Sequence, residues 1–150
     1  MKESLIYNKA LNYAIRIVNV YKYLIETKKE TVMSKQLLRC GTSIGANVSE
    51  ALSAESTPDF IHKLSISQKE ANETMYWLTL LSKTGYLSKT EYQSINHDCE
   101  ELRKLLSSII LTLKQKNSQL ITHNSKLYCI FAADLDIINI KSNTINNFIN

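Results

Sequence analysis

Apolar side chains recur at alternating spacings of three and four in four successive stretches of the chain, the period of a helix with one buried face. In the first stretch Leu11, Ala14, Val18, Tyr21 and Ile25 form a stripe, with Ile17 and Leu24 beside it. The second runs Leu37, Gly41, Ile44, Val48 and Ala51. Phe60, Leu64, Ser67, Ala71, Thr74, Leu78 and Leu81 make the third, and Tyr92, Ile95, Cys99, Leu102, Leu106, Ile109 and Leu113 the fourth. Four helices of roughly 20–28 residues follow, each about 30–42 Å long.

Local signals bound these helices. Thr57-Pro58-Asp59 predicts the start of the third: Thr57 as cap, Pro58 in the first turn, Asp59 facing the helix dipole. Gly85 suits a left-handed residue that ends it, and Ser88-Lys89-Thr90-Glu91 fits a capping box opening the fourth. The connections near Thr27–Val32, Ser53–Ser56 and Gly85–Ser88 are short, which brings successive helices back alongside one another. The expected fold is all-α, an antiparallel up-down-up-down four-helix bundle over residues 1–117. Residues 118–150 hold six Asn and seven Ile but four charged side chains, with no sustained period. They read as a loosely attached C-terminal tail; the competing reading is a fifth short helix around Lys126–Ile138.

Composition narrows the class. A chain of 150 residues with 44% hydrophobic content has room for one domain and a real core. Three glycines and one proline are too few for the turns of an all-β fold. No run of about 18 apolar residues predicts a membrane-spanning helix. Met1-Lys2-Glu3-Ser4-Leu5 lacks the apolar core of a secretion signal, so a cytoplasmic location is expected. Cys40, Cys99 and Cys129 include no C-x-x-C pair and read as small core residues.

Charge is uneven. The formal net charge is +4, yet residues 1–39 alone hold eight basic and three acidic side chains. Lys2, Lys9 and Arg16 recur every seven residues, and Lys35 and Arg39 lie four apart, so each set shares a helix face. These five are the candidates for contact with nucleic-acid phosphates. No base-reading motif accompanies them, so binding would be independent of base sequence. The competing reading is a solvated helix face.

Gly41 and Gly45 fall inside a predicted helix, where each costs about 1 kcal/mol relative to alanine. Close approach of a neighbouring helix accounts for them; a phosphate loop does not, since Ala46 follows Gly45 and no strand precedes it. Arg39, Ser43, Asn47 and Glu50 form a polar stripe beside the apolar one, and Glu70 and Glu73 lie with Ile66, Trp77 and Leu80 on the third helix. The expected use is an inter-helix or inter-subunit network in which Arg39 or Lys63 meets a carboxylate. Asn47, Glu50, Glu73 and Trp77 are its candidates; a solvated face is again the alternative. A di-iron bundle needs two Glu-x-x-His motifs, and here only Asp59-Phe60-Ile61-His62 comes near one. No nucleophile–base arrangement stands out, so a non-enzymatic protein without metal or cofactor is expected.

Leu38-Arg39-Cys40-Gly41-Thr42-Ser43-Ile44-Gly45-Ala46-Asn47-Val48-Ser49-Glu50-Ala51 resembles the signature of the bacterial four-helix bundle family named for 23S rRNA intervening sequences. Asp59–Ile66, Lys69–Leu78 and Glu100–Ile110 are similar to its later segments. The resemblance spans about residues 5–117 and departs at Cys40, where the family usually has serine. It implies a ring-like homopentamer. The related accessory proteins of diversity-generating retroelements bind RNA and a reverse transcriptase through a basic surface. RNA and such a protein are therefore the partners the resemblance implies.

Overall fold

A computed structural model describes residues 4–121 of the chain. It is all-α: α1 (Leu5–Glu26), α2 (Met33–Ala51), α3 (Thr57–Lys83) and α4 (Lys89–Ile121), with no strand among the described residues. The chain up to Ile110 is one compact unit, and a second begins at Leu111, within α4. Helix α4 is 33 residues long and runs through 118–121, past the limit expected near 117. The remainder of the expected tail, including the alternative helix around 126–138, lies outside the described residues.

The helix ends show which side chains start and stop the backbone pattern. Between α3 and α4, Gly85 takes φ +82°, and Ser88 and Glu91 form the expected capping box. The Ser88 amide donates to Glu91 Oε2 at 2.7 Å and the Glu91 amide to Ser88 Oγ at 3.3 Å. The cap of α3 is Ser56, one residue before the expected Thr57. The Phe60 amide already bonds the Ser56 carbonyl, so Thr57 lies inside the first turn, and Ser56 Oγ accepts from the Asp59 amide at 3.3 Å. Helix α2 has no hydroxyl cap. Glu30 takes that role: its carboxylate accepts from the amides of Val32, Met33 and Ser34 at 2.9, 2.8 and 2.6 Å. Ser34 Oγ donates back to the Glu30 carbonyl. Burial of Glu30 pushes its carboxyl up, but the three amides outweigh it and hold the pKa below the usual carboxylate value.

The core takes one stripe from each helix. From α2 it takes Leu37, Gly41, Ile44, Val48 and Ala51, and from α3 Leu64, Ser67, Ala71, Thr74, Leu78 and Leu81, as the spacing predicts, with Phe60 half-buried. Ile95, Cys99, Leu102, Leu106 and Ile109 come from α4. Helix α1 departs from expectation. Its buried residues are Ile6, Ala10, Tyr13, Ile17 and Leu24, while Leu11 is 45% exposed and Val18, Tyr21 and Ile25 are half-buried. Apolar residues cover so wide an arc of α1 that two stripes fit its period. The one that meets α2 at Gly41 and Gly45 goes inside.

Residue numbers that rise along one helix fall along its neighbour. Ile17 meets Gly41 and Ala10 meets Gly45; Arg39 reaches Glu73 and Glu50 reaches Lys63. The same holds where Ala71 meets Cys99 and Gln68 meets Ser107, and where Arg16 reaches Asp98 and Lys9 reaches Glu101.

Candidate functional site

The two small-residue positions differ in what faces them. A Cβ built on Gly41 would stand 2.8 Å from both Cγ1 and Cγ2 of Ile17, a fully buried β-branched side chain with no room to yield. One built on Gly45 would stand 3.4 Å from the Ala10 carbonyl oxygen, an ordinary contact. Close helix approach therefore requires glycine at 41 and merely accommodates it at 45.

Along the α2–α3 seam the polar stripe becomes a network between helices. Arg39 Nη2 donates to Glu73 Oε1 at 2.7 Å, and Trp77 Nε1 donates to the same oxygen at 3.3 Å. Arg39 Nε also reaches Gln36. Further along, Lys63 Nζ donates to Glu50 Oε2 at 2.6 Å, which raises the Lys63 pKa through that bond and the adjacent charge. Both cations expected to meet a carboxylate do so within one chain. Asn47 turns back on its own helix, donating to the Ser43 carbonyl, and Ser43 Oγ does the same to Arg39. Glu70 lies in this stripe with Oε2 buried and without a hydrogen-bond partner. Trp77 is half-buried, and the 60% exposed Tyr76 packs edge-on against it with ring centroids 5.2 Å apart.

The four candidate phosphate contacts within the described residues do not form one face. Lys2 lies outside the described residues. Arg16 points at α4, where it pairs with Asp98 and donates to Ser94 Oγ at 2.9 Å. Lys9 stands 3.8 Å from Glu101 on the same helix. Arg39 faces the opposite flank, toward α3. Lys35 is exposed and makes no ion pair among the described residues. Spacing along α1 and α2 is blind to the carboxylates across the seams. Ser94, Asp98 and Glu101, spaced four and three apart on α4, were the available signal for the α1 pair.

On the outward side of α1, Tyr7, Leu11 and Ile15 recur every fourth residue and are 36%, 45% and 52% exposed. This is a row of apolar side chains facing away from the core.

No curated protein sequence matches the chain. It is similar to the crystal structure of a protein of unknown function from the S23 ribosomal protein family of Bacteroides thetaiotaomicron, at 57% identity and a TM-score of 0.70. That match covers 71% of this chain and 98% of the other. Residues 2–108, which contain the glycine contacts and both polar seams, match the family model described as 23S rRNA-intervening sequence protein. The chain belongs to the 23S rRNA-intervening sequence protein family.

Proposed function

We propose that this protein is a non-catalytic helical module, an up-down-up-down four-helix bundle that self-assembles and associates with RNA through exposed basic side chains. The observation that carries the reading is the concentration of positive charge in residues 1–39, eight basic side chains against three acidic, in a family named for rRNA intervening sequences. Opposed residue numbering at all four helix pairings supports the topology. The exposed row Tyr7, Leu11 and Ile15 supports self-assembly, since contiguous apolar surface of this kind marks protein contacts. The family resemblance implies a bacterial homopentamer with a reverse transcriptase as protein partner.

Titration of the full-length chain with single-stranded RNA at several ionic strengths tests the reading. Lysine and arginine contacts release counterions, so affinity should fall steeply and linearly in log–log form as salt rises. Absence of binding at low salt would leave the second reading, a purely structural homo-oligomeric scaffold that holds another protein. That reading is favoured by the pairing of Lys9, Arg16 and Arg39 with carboxylates. Light scattering tests assembly in either case, and a monomer at micromolar concentration would remove the ring.

A further inference from the structure

We propose that the phosphate contacts lie at one end of the bundle, where the α1–α2 and α3–α4 connections meet, and are made by Lys22, Lys29, Lys35, Lys83 and Lys89. The proposal rests on the RNA reading above and gives it a different place on the molecule from the one that residue spacing suggested. The helix pairings bring the end of α1, the start of α2, the end of α3 and the start of α4 to the same level. Tyr23, Leu87 and Glu91 line one cleft there, which ties the end of α1 to the start of α4. All five lysines are exposed, and none makes an ion pair among the described residues. A sixth, Lys28, lies over the Tyr23 ring, 5.6 Å from its centroid.

Two acidic side chains of this end also hold the backbone. Glu30 is buried under the first amides of α2, and Glu91 accepts from the Ser88 amide in the capping box. Glu26 and Glu91 are the exposed carboxylates near these lysines among the described residues, and Glu91 also faces Tyr23 and Lys28. The α2–α3 connection at the other end has the reverse balance: Glu50, Glu55 and Asp59 lie in or beside it in sequence, and Lys63 is already bonded to Glu50 with Asp59 nearby. The α1–α2 and α3–α4 connections therefore carry more unpaired positive charge than the α2–α3 connection. A polyanion meets unpaired ammonium groups at one end and pairs already formed along the seams, where each phosphate would have to displace a carboxylate.

The experiment measures binding of the full-length chain to a labelled oligouridylate by fluorescence anisotropy, over a salt series. Two double variants of equal charge change are compared: Lys35→Glu with Lys89→Glu at the proposed end, and Lys69→Glu with Lys104→Glu on exposed positions elsewhere. The end pair should weaken binding about tenfold and lower the salt slope by about one or more, against less than about twofold for the control pair. Equal losses in both pairs, or no loss at the end, would overturn the location while leaving RNA binding itself intact. Failure of the unaltered chain to bind RNA at low salt would instead overturn the functional reading. Binding to phosphatidylserine vesicles, lost in the end pair while RNA binding persists, would assign this end to a membrane surface and overturn the proposal. Circular dichroism checks that both doubles keep the helical signal; Gln at the same positions should give the same ranking at about half the effect.

Discussion

Lys35 and Arg39 stand four residues apart on α2, yet they belong to different parts of the molecule. Arg39 lies against α3 and shares Glu73 with Trp77, whereas Lys35 is exposed near the loop end and makes no ion pair among the described residues. The same division separates Arg16, bound to Asp98 and Ser94 in the α1–α4 seam, from Lys22 six residues further on. A cation in a seam holds two helices together. One at the loop end contributes little to the fold and is available to a ligand. Charge alone does not distinguish them; the residue across the helix interface does.

The contrast can be tested by removing groups of each kind. Glu30→Ala should have the largest effect, a loss of about 2 kcal/mol in chemical denaturation, because three amides at the start of α2 lose a charged acceptor. It would show that the loop end is held by its buried carboxylate and not by its lysines. The sign of the pH dependence follows from the lowered Glu30 pKa. The stabilisation is present above the ordinary carboxyl value and is lost as pH falls through the lowered one, so the gap between wild type and Glu30→Gln should narrow on acidification.

Gly41→Ala comes next. Overpacking against Ile17 costs about 1–3 kcal/mol, offset by about 1 kcal/mol of helix propensity, so a net loss near 1 kcal/mol is expected. Gly45→Ala should be neutral or slightly stabilising, and an equal loss at both positions would contradict the geometry. For the seams, a double-mutant cycle between Arg39 and Glu73 should give a coupling of about 0.2–1 kcal/mol, as for partly exposed pairs. Lys35→Ala should move stability by less than about 0.5 kcal/mol. A larger effect at Lys35 than at Arg39 would reverse the comparison.

The stripes of α2, α3 and α4 were readable because each has one apolar arc bounded by polar residues. On α1 the arc is broad, and spacing selected Leu11 where the fold buries Ala10 and Tyr13. The turn at Gly85 and the box at Ser88 and Glu91 were readable because each is a local pattern with one physical use. Thr57 was mistaken for the cap because Ser56 offers the same chemistry one residue earlier, and only the Phe60 amide decides between them. Glu30 was missed for a related reason: its side chain caps a helix that begins three residues later, a pattern outside the Ser/Thr signature. Among the site residues, the Arg39–Glu73 and Lys63–Glu50 pairs were foreseeable in kind, since both signs of charge border the same seam. The separation of seam cations from free ones was not, because Arg16 and Asp98 are 82 positions apart in the chain.

The two thiols at the centre of the core give the fold an internal clock. Cys40 and Cys99 are fully buried, and burial pushes both thiols up to about 11. Neither can meet an alkylating reagent until the helices around it part. With Cys129 changed to serine, the rate of labelling would time the opening of the bundle with no foreign probe attached. It would report how long the loop end and the seams stay joined, a quantity that equilibrium unfolding does not contain.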